Sequence, residues 1–301
     1  MRPGGAAGHP SPKTFPGTSS RRAVFLNHTK SAPVLRNANG YLHHTGSMVR
    51  LLLALLLASS LRAQLDEAYS AKIKEFTTDP QFLPDLVAQL PASSTVPSPL
   101  KTLGYVAGAP NVLTYAKDVH RYIREVAAKS GRIRVLTLGQ TEEGREMILV
   151  LASDAANLGR LDRLKEITAR LADPRQTTET EAAALITEGL PFYWLTGAIH
   201  SPETGSPEML MELVYRLAVE ETPVFQNIRR NTVVMITPVI EVDGRERQVD
   251  LYRWRKANPT RPAPPLIYWG KYVAHDNNRD GMALSLALSR HVTRAFLEYH
   301  P

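Results

Sequence analysis

Residues 192–203 read FYWLTGAIHSPE, and this stretch decides the fold class. The first eight are an almost unbroken apolar run, which is typical of a strand buried on both faces of a sheet. His200 and Glu203 follow, three positions apart, where such a strand would end. Because ligands of open α/β sheets bind beyond the carboxyl ends of the strands, we expect a functional site here.

The sequence around this stretch alternates predicted strands and helices. Apolar periodicity predicts further strands at 133–138, 147–152 and 233–240, and helices at 115–126, 158–171, 179–187, 208–220 and 282–299. This alternation predicts an α/β domain with a mixed, largely parallel sheet flanked by helices. We place this domain at residues 110–301, after a leader segment at 64–109.

Basic side chains are concentrated near the N-terminus. Eight of the 36 Lys and Arg residues lie in residues 1–63, which contain no acid. Residues 64–301 therefore carry 28 basic and 29 acidic residues, a net charge of −1, although the whole chain is at +7. A nucleic-acid-binding domain would carry its own basic face, so we expect no nucleic-acid partner. The lack of cysteine excludes disulfides, cysteine nucleophiles and thiolate metal sites.

The first 63 residues resemble processing sequence more than a folded domain. Residues 1–47 are basic and lack apolar periodicity, which predicts disorder. Residues 48–63 combine a positive start, a short apolar centre and small residues, as a secretory signal peptide does. We expect translation to begin at Met48 and the product to be secreted, periplasmic or extracellular. An organelle transit segment, or a basic tail before a membrane anchor, also fits this composition.

His200 and Glu203 are chemically suited to bind zinc. An imidazole nitrogen and a carboxylate oxygen are both zinc ligands, and a catalytic zinc takes three protein ligands and a water. The H-x-x-E spacing by itself also fits a histidine that bonds a nearby carbonyl and a glutamate at the start of a helix. The spacing alone leaves both interpretations open.

Five segments, in order along the chain, resemble the zinc carboxypeptidases, the carboxypeptidase A-like metallopeptidases. Residues 197–203 are similar to the segment that carries the first zinc ligands in that family. The other four resemble its G-x-S-x-E-G-R turn, its P-x-x-N-P-D-G turn, its W-R-K segment and its N-R-N/D segment, at 138–145, 238–244, 254–256 and 277–280. The resemblance implies the carboxypeptidase fold from about residue 105 onward.

The resemblance also implies roles for individual residues. His200 and Glu203 would be two of three ligands of one Zn²⁺. Arg255 would be the catalytic arginine that polarises the scissile carbonyl and stabilises the oxyanion. Asn278 and Arg279 would bind the terminal carboxylate of a peptide or protein substrate. The implied enzyme is a zinc metallocarboxypeptidase that hydrolyses peptide bonds near a substrate C-terminus.

The sequence departs from the family pattern at several positions. Pro202 stands where many relatives have an arginine, and 241–244 reads EVDG in place of NPDG. The family's third zinc ligand and its general-base glutamate have no clear counterpart, and His291 and His300 are poorly placed as ligands. We therefore expect a domain that ends before its third zinc ligand, with an exposed sheet edge, low solubility and little peptidase activity.

Two alternatives to the peptidase remain open. A non-catalytic peptide- or carboxylate-binding module would keep Arg255, Asn278 and Arg279 but not the zinc chemistry. A zinc-dependent deacylase or amidohydrolase of the same family would use the same carboxylate-binding residues on small molecules. In each case we expect membrane contact only through an uncleaved signal segment.

Overall fold

The structure, a computed structural model, describes residues 64–266 and 272–301. The predicted basic segment at 1–47 and the predicted signal peptide at 48–63 lie outside the described residues. No helix in the described ranges is long and apolar enough to span a membrane.

The described residues form four strands and ten α-helices. The strands are Ile133–Gln140 (β1), Glu146–Ala152 (β2), Phe192–Thr196 (β3) and Val233–Thr237 (β4). The helices are Glu67–Phe76 (α1), Pro99–Leu103 (α2), Ala116–Lys129 (α3), Ala155–Gly159 (α4), Leu161–Ala172 (α5), Glu179–Glu188 (α6), Gly205–Val219 (α7), Pro223–Asn231 (α8), Val242–Ala257 (α9) and Ala287–Tyr299 (α10).

The strands form one mixed sheet in the order β1-β2-β4-β3, and this confirms the predicted α/β class. Only the β3–β4 pairing is parallel, while β1–β2 and β2–β4 are antiparallel. The expectation of a largely parallel sheet is therefore wrong for the described strands. For β1 and β2 the physical reason is the short connection at 141–145, since a tight turn can only join antiparallel neighbours. Long connections containing helices allow β3 and β4 to run parallel.

Hydrophobic side chains cover both faces of the central strands. Along β2, Ile148 and Val150 belong to one buried cluster with α3 and α7 residues, while Leu149 and Leu151 belong to another with α5 and α10 residues. Because successive side chains of a strand point to opposite faces, a strand buried on both faces needs a continuous apolar run. This requirement explains why the strands were recognisable in the sequence.

The segment at 64–109 packs into the same core as the sheet. Tyr69 is fully buried, and its hydroxyl donates to Glu212 on α7 at 3.1 Å while accepting from the Ala107 amide at 3.0 Å. Leu65 pairs with Pro91 in an isolated bridge, and Leu90 is fully buried. The first turn of α1 therefore belongs to the hydrophobic interior.

Several elements differ from their predicted ranges. β3 and β4 each end three residues earlier than predicted, at Thr196 and Thr237, because the chain turns there into loops. The sequence analysis did not predict α8 or α9, and α10 begins at Ala287 rather than at 282. Among the described strands β3 pairs only with β4, and Tyr193 on it is 61 % exposed.

Candidate active site

The loops that follow β3 and β4 run side by side at the carboxyl ends of these parallel strands. The Gly197 amide donates to Thr237 O at 2.9 Å, and the Ile240 amide donates back to Gly197 O at 2.8 Å. A side chain at Gly197 would meet the Pro238 carbonyl oxygen at 2.5 Å, so this approach requires glycine. The two loops therefore form one rigid base for the residues at 198–204.

His200 lies between two carboxylates. Its Nδ1 is 3.0 Å from Glu203 Oε1, and its Nε2 is 2.9 Å from Asp276 Oδ1. The hydrogen bond to Glu203, followed by the one to Asp276, raises the pKa of His200. The Asn278 amide, followed by His200, lowers the pKa of Asp276. The structure thus brings together the two predicted metal ligands and adds a carboxylate that was not predicted.

The donor types at His200 and Glu203 fit zinc, but the number of donors is incomplete. Asp276 contacts the imidazole nitrogen that faces away from Glu203, which is how a supporting carboxylate orients a metal-binding histidine. Within residues 64–266 and 272–301, no group of three or more His, Asp or Glu side chains is arranged to hold a metal ion. If His200 and Glu203 bind zinc, as the family resemblance implies, the described residues would provide two of the three ligands of a catalytic zinc.

The two weak candidates for a third ligand have other contacts. His291 on α10 donates from Nε2 to the Gln140 carbonyl of β1 at 2.9 Å, and its Nδ1 is 2.6 Å from the Arg294 guanidinium. His300 caps the end of α10 in a left-handed conformation. His291 thus lies within α10 and His300 at its end, as expected from their positions in the sequence.

Asn278 and Arg279 are held close to His200 by their neighbours. The carboxylate of Asp276 accepts from the Asn278 amide at 2.8 Å, and Asn277 donates to the carbonyl of Ile199, next to His200. The side chains of Asn278 and Arg279 are exposed, and among the described residues the Arg279 guanidinium donates only to the neighbouring Asn278 carbonyl. Their polar groups are therefore available to bind an anion beside the His200 cluster.

Among the described residues, no contact brings Arg255 to this cluster. It lies in the last turn of α9 with an exposed side chain. Arg245, near the start of the same helix, donates to Thr204 O at 3.1 Å. Ten residues of α-helix separate the two positions by roughly 15 Å along the axis. The catalytic role of Arg255 stays a prediction.

The buried residue Glu241 is hydrogen-bonded to the loop that carries His200. Glu241 is 3 % exposed and accepts a hydrogen bond from the Ser201 hydroxyl, while its amide donates to Ala198 O at 3.0 Å. Burial raises the pKa of Glu241 to about 7, and the nearby charge of Asp243 contributes. The polar group at 241, where the family pattern has asparagine, thus fixes the conformation of the loop that carries His200.

The sequence analysis missed Asp276, Asn277 and Glu241 as parts of the site. A signal for Asp276 did exist, because metal-binding histidines usually donate their second nitrogen to a carboxylate or carbonyl, and Asp276 lies directly before the Asn-Asn-Arg segment. For Glu241 and Asn277 the local sequence carries no comparable signal, since both act through contacts with residues far along the chain.

Comparison with solved structures gives partial matches to carboxypeptidases. A carboxypeptidase A from Helicoverpa armigera is 16 % identical, with a TM-score of 0.33, over 45 % of this chain and 26 % of that one. A protein described as a carboxypeptidase from Burkholderia mallei is 16 % identical, with a TM-score of 0.38, over 60 % of this chain and 36 % of that one. The chain thus spans about a quarter to a third of these structures. None of the curated proteins compared with the chain matches it.

A family model gives a more extensive match. The model for zinc carboxypeptidases matches residues 119–280, which is more than half of the chain and includes the His200, Glu203 and Asn278–Arg279 positions. The chain therefore belongs to the zinc carboxypeptidase family.

Proposed function

We propose that the chain takes part in zinc-dependent hydrolysis of peptide bonds next to a substrate's C-terminal carboxylate. The observation that carries this proposal is the convergence of His200 Nδ1 and Glu203 Oε1 at 3.0 Å, with Asp276 on the other imidazole nitrogen. The exposed Asn278 and Arg279 side chains follow directly after Asp276. A family member with this arrangement has a metal-binding pair and a carboxylate-binding pair side by side.

Asp276 orients the imidazole of His200. When Nε2–H donates to Asp276, the neutral imidazole has its lone pair on Nδ1, on the side of Glu203. This tautomer allows Nδ1 and the Glu203 carboxylate to act as two ligands of one ion. The described residues supply no third ligand for this ion.

Arg279 and Asn278 would bind the substrate carboxylate. A guanidinium can form two parallel hydrogen bonds with a carboxylate, and the side-chain amide of Asn278 can donate a further one. Binding here would place the last peptide bond of the substrate near His200 and Glu203. In this proposal Arg255 stabilises the developing oxyanion, as the family resemblance implies.

Zinc titration of the full chain tests the metal-binding pair. After removal of metal with a chelator, Zn²⁺ should bind in a 1:1 ratio in competition with a chromogenic chelator. His200→Ala and Glu203→Ala should each weaken binding by about tenfold or more, since each removes a ligand. Glu179→Ala, which removes an exposed glutamate of α6, should leave the affinity unchanged. Equal affinity in all variants would show that zinc binds elsewhere.

Binding of hippuryl-phenylalanine tests the carboxylate-binding pair. Arg279→Met should weaken binding by about tenfold or more, because it removes a charged hydrogen-bond donor. Arg175→Met, at a guanidinium whose side chain is 85 % exposed, serves as the matched control. The corresponding amide, which lacks the carboxylate, should bind equally to the wild type and to Arg279→Met. We expect slow release of phenylalanine, since the described residues supply only two of the three ligands expected for a catalytic zinc.

A non-catalytic carboxylate-binding module is the second candidate. The observation that favours it is the incomplete ligand set, in which both His200 nitrogens already contact carboxylates. Such a module would bind hippuryl-phenylalanine with the same affinity in the presence of Zn²⁺ and in the presence of a chelator. The peptidase should bind this ligand more tightly when zinc is present.

We also propose that the protein is exported. The basic and apolar pattern of residues 48–63 supports this proposal. N-terminal sequencing of the native protein should give a start at or near Gln64. An intact start at Met1 would refute it.

A further inference from the structure

Two hydrogen bonds connect the segment at 276–280 to the loop that carries His200. The first joins the Asp276 carboxylate to the His200 imidazole at 2.9 Å. The second runs from the side-chain amide of Asn277 to the backbone carbonyl of Ile199. Among the described residues no other hydrogen bond joins this segment to residues 197–204. Asn277 therefore fixes the segment to the backbone of the loop, whereas Asp276 contacts a side chain.

The turn that carries Asn278 and Arg279 is held in one conformation by its own hydrogen bonds. The Arg279 amide donates to Asp276 O at 2.8 Å, and the Asp280 amide donates to Asn277 O at 3.2 Å. Asp280 is fully buried, and its carboxylate accepts from the Leu286 amide at 2.8 Å. Because the turn moves as a unit, the position of Asn277 determines the position of Arg279 relative to His200.

The surroundings of Asn277 distinguish its contact with Ile199 from a general contribution to stability. Asn277 is 3 % exposed, and its Oδ1 is buried with no hydrogen-bond partner among the described residues. An unpaired buried acceptor is unfavourable, and an apolar residue of the same size would avoid that cost. The N–H group that bonds to Ile199 is what asparagine provides and such a residue lacks.

We propose that Asn277 is a positioning residue that sets the distance between the metal-binding pair and the carboxylate-binding pair. This inference rests on the proposed function, in which one substrate contacts both pairs. When a ligand bridges two sites, the second contact adds affinity only if the sites keep a spacing that the ligand can span. Asn277 should therefore govern how much zinc strengthens ligand binding, and not the affinity of either pair alone.

Calorimetric titration of the full chain with hippuryl-phenylalanine tests the inference. The quantity to compare is the zinc gain, which is the dissociation constant in the presence of a chelator divided by that in the presence of Zn²⁺. Asn277→Ala and Asn277→Leu should each lower the zinc gain by about fivefold or more, because each removes the hydrogen bond to Ile199. The affinity for Zn²⁺ alone, and that for hippuryl-phenylalanine with chelator, should stay at the wild-type values. Leucine matches asparagine in size and removes the unpaired Oδ1, so Asn277→Leu should fold like the wild type.

Asn157→Ala is the matched control. Asn157 is also buried, and its side-chain amide donates to the backbone carbonyl of Arg229 at 3.0 Å, near the amino end of β4 and thus at the opposite end of the strand from the His200 loop. This variant should have a lower unfolding free energy and an unchanged zinc gain.

The possible outcomes separate this inference from the proposed function. A wild type without any zinc gain would refute both. A zinc gain in the wild type that is equally large in both Asn277 variants would overturn this inference alone. It would also be overturned if the Asn277 variants lost affinity for Zn²⁺ itself by tenfold or more, or if Asn157→Ala lowered the zinc gain to the same degree.

Discussion

Replacing Glu241 with glutamine should change how the stability of the protein depends on pH. The Glu241 carboxyl group is 3 % exposed and accepts a hydrogen bond from Ser201. Burial raises its pKa from an ordinary value of 4.5 to about 7, and the charge of Asp243 adds to the increase. Ionisation of this group near neutral pH therefore lowers the unfolding free energy of the protein.

The magnitude follows from the difference between the folded and unfolded pKa values. The folded protein holds the Glu241 proton more tightly than the unfolded chain, so its stabilising effect is complete below pH 4.5 and is lost as the pH rises through 7. A shift of about 2.5 units corresponds to about 3 kcal/mol of unfolding free energy.

His120 contributes an opposite slope in the same range. Burial lowers its pKa from 6.5 to about 4, and its Nε2 is buried with no hydrogen-bond partner among the described residues. Because the unfolded chain binds this proton and the folded protein does not, stability rises by about 3 kcal/mol as the pH increases from 4 to 6.5. In the wild type the effects of Glu241 and His120 therefore nearly cancel.

Urea unfolding of the wild type and of Glu241→Gln, with a chelator present and at several values between pH 4.5 and 8, isolates the Glu241 contribution. The unfolding free energy of the variant minus that of the wild type should increase by about 3 kcal/mol across this range. His120 acts equally in both proteins and cancels in the difference. In Ser201→Ala the loss of a hydrogen bond that lowers the pKa of Glu241 should move the transition to higher pH.

A pH-independent difference between Glu241→Gln and the wild type would refute this reasoning, since it would mean that Glu241 has the same pKa in the folded and unfolded states. A difference that decreases with pH would show that Glu241 is stabilised in its charged form.

Three further predictions concern other parts of the fold. Asp276→Asn should lower zinc affinity by about 10- to 100-fold in the chelator competition assay, because the Asp276 carboxylate orients His200; an unchanged affinity would contradict this role. Gly139→Ala should lower the unfolding free energy by about 1–3 kcal/mol in urea, because its Cβ would lie 2.2 Å from the His291 ring, and His291→Ala should relieve the effect. Leu151→Ala should cost about 2–5 kcal/mol in the same assay, as Leu151 is fully buried in β2; a loss below 1 kcal/mol would show that the site repacks.

The strands were predictable because burial on both faces restricts them to apolar residues. β2 and β4 are covered on both faces, so nearly every residue in them must be apolar, and the sequence shows these runs directly. α9 was not predictable in the same way, because most of its residues are polar. Its Arg245 is fully buried and pairs with Glu208 on α7, so a helix that looks solvent-exposed in sequence is held by a distant ion pair.

The sequence by itself determined the fold class and the family, and it predicted His200 and Glu203 as a metal-binding pair, since they lie three residues apart directly after a recognisable strand. Only the tertiary structure decided how this pair is supported. Asp276, which contacts the second nitrogen of His200, lies 76 residues further along the chain. Glu241, which accepts a hydrogen bond from Ser201, lies 40 residues after it. Local spacing constrains side chains on one turn or loop, whereas contacts across such separations depend on the path of the whole chain.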